Sequence, residues 1–222
     1  VTAGPTRESI DPVRYITNRS SGKMGYAIAA AAHGLGARVI LVSGPVGLQE
    51  PRGSEVVHVE TAAEMHAATH ERIAEADIFI AAAAVSDYRP AESSVQKIKK
   101  THDTMTLELV RSPDILASVA ALDKAPFTVG FAAETENVRE YALGKLENKK
   151  LDMIVANRVG ADCGFDYDDN AAEILWVGGE KAFGKMPKSE LAAGLMDVIA
   201  ARFFETRGAE TQPALSIVSI KE

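Results

Sequence analysis

Asn18-Arg19-Ser20-Ser21-Gly22-Lys23-Met24-Gly25 joins a polar loop to a helix, and what flanks it decides the fold. Upstream, Val1-Thr2-Ala3 reads as the end of a strand, followed by the loop Gly4 to Ser21. Downstream, Gly22 to Leu35 reads as a helix, small and apolar on most sides, that stops at Gly34 and Gly36. Strand, loop and helix open a crossover unit, and the rest of the chain repeats the alternation.

Val39 to Val42 is a β-branched run suited to a buried strand. Val56, Val57 and Val59 suggest another strand, Ala62 to Ala74 a helix, and Ile78 to Ala84 a strand with a small-residue exit. Asp87 to Lys100 is polar and carries a lysine cluster, and Thr104 to Val110 alternates as a half-exposed strand does. Ser112-Pro113 marks the start of a short helix, Asp114 to Leu122. Phe127 to Ala132 predicts a strand, Val138 to Lys149 a helix and Met153 to Ala156 a strand. Ala172 to Val177 predicts one arm of a hairpin turning at Gly178-Gly179, and Lys188 to Phe204 the last long helix. The expected architecture is α/β, with one domain over residues 1–206 and a partly disordered tail, 207–222.

The 222 residues are 46% hydrophobic and 25% charged, enough for a buried core and ordinary for a globular chain. A net charge of −7 argues against a nucleic-acid surface, and an anionic ligand would need local cations. The lone cysteine, Cys163, excludes an intramolecular disulfide and points to a reducing, cytoplasmic location. The longest apolar run, Ile78 to Val85, is far too short to span a bilayer, so no membrane role is expected. The abrupt start on Val1-Thr2-Ala3-Gly4 suggests a chain cut from something longer.

Ser20, Ser21 and Gly22 lie where the first helix begins, with unpaired N–H groups and a positive dipole end. Hydroxyls and a glycine there admit a phosphate, although a serine cap with a close-packing glycine explains them equally well. The segment lacks the Gly-Lys-Ser/Thr ending of a Walker loop and the G-x-G-x-x-G dinucleotide fingerprint. Ala81-Ala82-Ala83-Ala84 runs out toward Asp87 at an expected sheet edge, where small side chains leave room for a base or ribose. Asp87 then suits a ribose, a base amine, Mg²⁺ or merely a turn. Lys97-Ile98-Lys99-Lys100 is either a solvated charge run or a phosphate clamp. Gly130-Phe131-Ala132-Ala133-Glu134-Thr135 is another roomy strand exit. Lys145 and Lys149 share a helix face, where an anion between them would relieve their repulsion. Asn157 ends a strand before Asp166 to Asn170. His66 and His70 are four apart but have no evident third metal ligand, and Cys163 has no nearby histidine.

In this order, these segments resemble the phosphopantothenoylcysteine synthetases over residues 1 to about 205. The residues that carry the likeness are Thr2-Ala3-Gly4-Pro5-Thr6-Arg7-Glu8, Asp11-Pro12-Val13-Arg14 and Asn18 with Ser20 to Gly25. Ala83-Val85-Asp87-Tyr88, Lys97-Ile98-Lys99, Pro113-Asp114-Ile115-Leu116, Gly130 to Thr135 and Asn157 complete it. The resemblance implies a three-layer, Rossmann-like or ribokinase-like, mainly parallel sheet with a flap used for dimerisation. It implies a homodimeric ligase that joins 4′-phosphopantothenate to L-cysteine through an acyl-cytidylate made from CTP, with Mg²⁺, in coenzyme A biosynthesis. It also implies fusion to an amino-terminal flavin (FMN) decarboxylase.

By the same resemblance, Ser20, Ser21 and Gly22 hold nucleotide phosphates. Ala81, Ala82, Ala83 and Asp87 line the cytidine pocket, with Pro113, Asp114, Ile115, Leu116 and Phe131 beside it. Lys97 neutralises charge on the phosphates, Lys145 and Lys149 complete the clamp, Asn18 contacts the acyl intermediate, and Arg14 binds substrate across the dimer. Arg19 departs from the pattern, standing where the resemblance leads one to expect a histidine, and is given no catalytic role. Metal ligands are not assigned. Two other readings compete: a nicotinamide-dependent oxidoreductase using the Tyr141-x-x-x-Lys145 spacing, and a non-catalytic nucleotide-binding module.

Overall fold

The computed structural model describes residues 1–100, 103–160 and 167–207. Cys163, Asp166 and the tail beyond Arg207 lie outside the described residues. The chain opens with β1 (Thr2–Ala3), β2 (Arg7–Ser9), β3 (Tyr15–Thr17), α1 (Lys23–Gly34), β4 (Val39–Ser43), β5 (Ser54–His58) and α2 (Ala62–Arg72). It continues through β6 (Ile78–Ala81), β7 (Tyr88–Pro90), β8 (Leu109–Arg111), α3 (Ile115–Ala120), β9 (Phe127–Glu134), α4 (Val138–Asn148) and β10 (Met153–Arg158). β11 (Asp169–Trp176), β12 (Gly179–Pro187) and α5 (Lys188–Arg207) complete it.

Eight strands form one sheet in the order β12-β11-β10-β9-β6-β1-β4-β5. From β10 to β5 every neighbouring pair is parallel, while β11 and β12 add antiparallel on one edge. The mainly parallel α/β sheet expected from the sequence is therefore present. Alternation along each strand divides the core between two faces. Ile80, Val129, Met153 and Val155 pack with Ile28, Leu191, Leu195 and Ile199 of α1 and α5. On the opposite face, Leu146 of α4 packs with Ile154 and Leu175. Met65 of α2, with Ile115 and Val119 of α3, packs with Val42 and Phe79 there. Helices thus cover both faces, giving three layers.

The chain winds outward from β1 to β4 and β5, then returns to the other side of β1 for β6, β9 and β10. The order reverses between β1 and β6, and a crevice opens at such a switch point beyond the carboxyl ends of the strands.

Several boundaries differ from expectation, each for a local reason. Gly4 to Ser21 is not all loop, because β2 and β3 pair antiparallel within it. Arg14 N–H donates to Asp11 Oδ1 at 2.9 Å, which tightens the connecting turn. Helix α1 starts at Lys23, since Gly22 is left-handed at φ 75° and caps it with no side-chain bond. The strand predicted over Thr104 to Val110 shrinks to β8, paired with β7. Pro90 stands opposite Leu109 and has no N–H to extend that ladder. Strand β6 ends at Ala81, and farther out only Ala84 bridges, to Pro5. The hairpin does turn at Gly178, whose φ of 86° suits glycine.

Candidate functional site

A cavity of about 510 Å³ opens at the switch point, a volume ordinary for a small-molecule site. Thr2 of β1, Phe131 of β9 and Ile154 of β10 form its sheet side, with Ala81 at the end of β6 and Ala83 and Val85 just beyond. Ser86, Asp87 and Tyr88 from the root of the β7–β8 flap form one wall, and Arg111 and Ser112 from its return form another. Pro113 to Leu116, at the start of α3, and Lys145 and Lys149 of α4 complete it. Ten of the expected ligand residues thus meet in one place: Ala81, Ala83, Asp87, Pro113, Asp114, Ile115, Leu116, Phe131, Lys145 and Lys149.

Ala82, expected beside its neighbours, lines neither this cavity nor the second one described below. Ala81, Ala83 and Val85 pack on the α2–α3 side, whereas Ala82 packs with the α1–α5 core. An extended backbone sends successive side chains to opposite faces, and that alternation removes Ala82 from the wall.

Both lysines are engaged rather than solvated. Lys145 Nζ lies 2.7 Å from Glu134 Oε1, and Lys149 Nζ 2.8 Å from Asp114 Oδ2. Asp114 also caps α3, accepting the Ala117 N–H at 3.0 Å. Partial burial pushes the Asp114 carboxyl up, but Lys149, the Ala117 N–H and nearby Lys145 outweigh it and hold it below its ordinary value. Tyr141 is exposed and lines neither cavity, while Lys145 lines the first and bonds Glu134, so the cavity does not bring the two residues of the oxidoreductase spacing together.

Ser20 and Ser21 line a second, more open cavity of about 590 Å³ with Arg7 and Pro45 to Leu48. Gly22 sits behind it: a Cβ there would lie 2.7 Å from Val46 Cγ1, and φ is 75°. Only glycine tolerates both conditions. The Gly22 N–H donates to Ser20 Oγ at 3.2 Å. No acidic residue occupies the first turn of α1, whose positive end favours an anion, although Asp168 from a distant segment pairs with Lys23 there at 2.7 Å. Gly25 lets the helix close on β1, since a Cβ would come within 2.5 Å of Ala3 Cβ.

The remaining expected residues lie outside both linings, Arg14 and Asn18 on the segment after β1, Lys97 between β7 and β8, and Asn157 in β10. Asn18 Nδ2 donates to the carbonyl of Val85, a residue of the first cavity's lining, at 2.9 Å. Arg14 is clamped to Asp11, through Nη2 and through Nε at 3.0 Å, and its Nη2 also donates to Ile98 O at 3.0 Å. The Arg14 guanidinium holds the Asp11 carboxyl well below the usual carboxylate range; burial opposes this, and the N–H groups of Val13, Ile98 and Arg14 assist it. Ile98 N–H donates to Asp11 Oδ2 at 3.2 Å, which fixes the backbone next to exposed Lys97. Lys97, Arg14 and Asn157 line neither cavity.

Some of the conspicuous sequence block proves architectural. Glu8 is buried and accepts the Ala62 N–H of α2 at 2.9 Å. Thr6 is buried, and its Oγ1 accepts the Ser86 N–H at 3.0 Å, tying the β1 exit to the flap root. His70 is half-buried and bonds Ser118 at 2.8 Å. Among the described residues no cluster of three or more His, Cys, Asp or Glu is arranged to hold a metal. Sequence reasoning missed Thr2, Val85, Ser86, Tyr88, Arg111, Ser112 and Ile154 as lining residues. Ser86 and Ser112 carry buried hydroxyls without partners. Adjacency to Asp87 and Pro113 was the available signal.

The fold and the cavity define a doubly wound α/β domain with a ligand crevice at its switch point. The chain belongs to the family described as the DNA/pantothenate metabolism flavoprotein C-terminal domain, whose model matches residues 1–203. It is 54% identical over 201 residues to the coenzyme A biosynthesis bifunctional protein CoaBC of Vibrio parahaemolyticus, covering 89% of this chain and 50% of that protein. It is 51% identical over 210 residues to the CoaBC of Escherichia coli, covering 92% and 52%. A crystal structure of the C-terminal domain of CoaBC matches with a TM-score of 0.75 at 41% identity, covering 90% of this chain and 93% of that one. The chain spans about half the length of the curated relatives it matches. The resemblance read from the residues is thereby borne out at the level of the family. No helix among the described residues is long and apolar enough to cross a membrane.

Proposed function

We propose that this domain joins 4′-phosphopantothenate to L-cysteine through an acyl-cytidylate formed from CTP. The observation that carries the reading is the relation between the two cavities. Thr2 lines the first, and Gly4, two residues on, packs against Gly22 behind the second. Two residues of extended chain span about 7 Å, a separation that a nucleotide bridges with its base against Ala81, Ala83 and Phe131 of the first cavity and its phosphates running past that cavity's cations toward the start of α1.

In this scheme a carboxylate oxygen of phosphopantothenate attacks the α-phosphorus, the α–β P–O bond breaks, and pyrophosphate leaves. The cysteine amine then attacks the acyl carbon, the C–O bond to CMP breaks, and the amine loses its proton. Ala81 and Ala83 leave room for the cytidine between Phe131 and the 113–116 segment. Ser20, Ser21 and Gly22 hold phosphates, joined by Lys145 and Lys149 once a phosphate competes with their carboxylates. Lys97 stabilises charge developing at the α-phosphorus. The Asn18 amide steadies the acyl intermediate during aminolysis, and Arg14 binds substrate from a partner subunit.

A Mg²⁺ ion would ride on the triphosphate and screen its charge, because such ions take one or two carboxylates plus substrate oxygens rather than a protein cage. Among the described residues Asp87 is the lining carboxylate without a side-chain partner and would be the one to meet the ion. The exposed apolar residues Val13, Tyr88, Val95, Met105 and Leu109, on and beside the flap, suit a homodimer contact. An upstream FMN-dependent decarboxylase half and a cytoplasmic setting belong to the same proposal; the bifunctional names of the relatives, of which the chain spans about half, support a second unit. The test of nucleotide choice is turnover with CTP and ATP in parallel. CTP should support ligation and ATP should not; equal rates would remove the cytidine assignment.

A further inference from the structure

We propose that Arg111 is a further ligand-binding residue, whose guanidinium takes the phosphates of the bound nucleotide; the inference rests on the nucleotide reading above. The lining carries three cations, Arg111, Lys145 and Lys149. Each lysine already faces a carboxylate, Glu134 at 2.7 Å and Asp114 at 2.8 Å. Counting those partners and the lining carboxylate Asp87, the positive and negative charges around the cavity balance. A polyanion entering such a site must either pull a lysine from its partner or meet a cation that has none. Among the described residues the Arg111 guanidinium makes no hydrogen bond or ion pair, so its binding requires no exchange of partners.

Its backbone is nevertheless held in place. Arg111 stands opposite Tyr88 in the flap ladder, and the next N–H, of Ser112, donates to Asp87 O at 2.9 Å. A fixed root with an unengaged planar fork matches phosphate recognition, which favours two parallel N–H···O bonds. A second observation in the same cavity lining points to a ligand. Ser86 is only 2% exposed, and its hydroxyl has no hydrogen-bond partner, nor has the buried hydroxyl of Ser112. Buried polar groups are ordinarily satisfied, and two orphan hydroxyls among the lining residues mark a cavity whose polar groups the protein alone does not satisfy.

The experiment is calorimetric titration of the chain and its Arg111→Gln and Arg111→Lys variants with CTP and with cytidine. Arg111→Gln should weaken CTP roughly tenfold or more while leaving cytidine unchanged, and Arg111→Lys should restore part of the loss. Unchanged CTP affinity in Arg111→Gln, or equal losses for CTP and cytidine, overturns the inference while leaving the nucleotide reading intact. Failure of the wild-type chain to bind CTP is a different result and overturns both. Arg111 is exposed, so the unfolding midpoint should stay with wild type and separate binding from folding.

Discussion

The Asn18 side chain is held by a hydrogen bond from its amide nitrogen to the Val85 carbonyl, which makes the amide rather than the side-chain shape its useful property. Asn18→Asp sets a carboxylate oxygen against that carbonyl and replaces a donor with an acceptor. The acyl-cytidylate should still form, while its transfer to cysteine should fall about a hundredfold, the scale seen when an oxyanion donor is removed. Rapid-quench separation of the two steps checks this, and normal transfer removes Asn18 from the mechanism. Residue-level reading was strongest where chemistry and position coincide, as at Asp87, Phe131, Lys145 and Lys149. It could not separate Ala82, which lines neither cavity, from its identical neighbours, because its orientation follows from strand alternation alone. It also gave no warning that Lys145 and Lys149 are neutralised by Glu134 and Asp114, because those partners come from other elements.

At the scale of elements, the loop after β1 and the flap are joined through Asp11. Its carboxylate receives the Arg14 side chain and the N–H groups of Val13, Arg14 and Ile98, and Ser94 N–H reaches Ile10 O at 2.9 Å. Because the Asp11 carboxyl is held below its unfolded value, its contribution to stability is present above about pH 4 and is lost as pH falls toward the folded value. Asp11→Asn should therefore be less stable than wild type at neutral pH and lose less stability between about pH 5 and about pH 2. Urea titrations across that range measure both effects, and parallel curves for the two proteins contradict the role given to Asp11. The flap was the least legible element. The alternation of Met105, Leu107 and Leu109 predicts a strand, yet Met105 and Leu109 are exposed and Pro90 stops the ladder that would have paired it. The small β2–β3 pair was missed for the opposite reason: its three-residue strands are too short for a period to show.

Across the whole molecule, the alternation of strands and helices was readable because buried parallel strands are continuous apolar runs and their crossovers are amphipathic or small-residue helices. Strand order is not written in any one segment. It emerges from β6 returning to the far side of β1, and that reversal opens the crevice where segments far apart in sequence converge. The pairing of the switch-point cavity with a helix start, joined across β1, underlies the assignment of a CTP-derived intermediate. The most direct measurement is pyrophosphate release with cysteine omitted. With CTP and 4′-phosphopantothenate together, about one equivalent per active site should appear together with an acyl-cytidylate of the corresponding mass. CTP without phosphopantothenate should yield none. Release without phosphopantothenate, or the absence of any burst with both substrates present, would contradict the account.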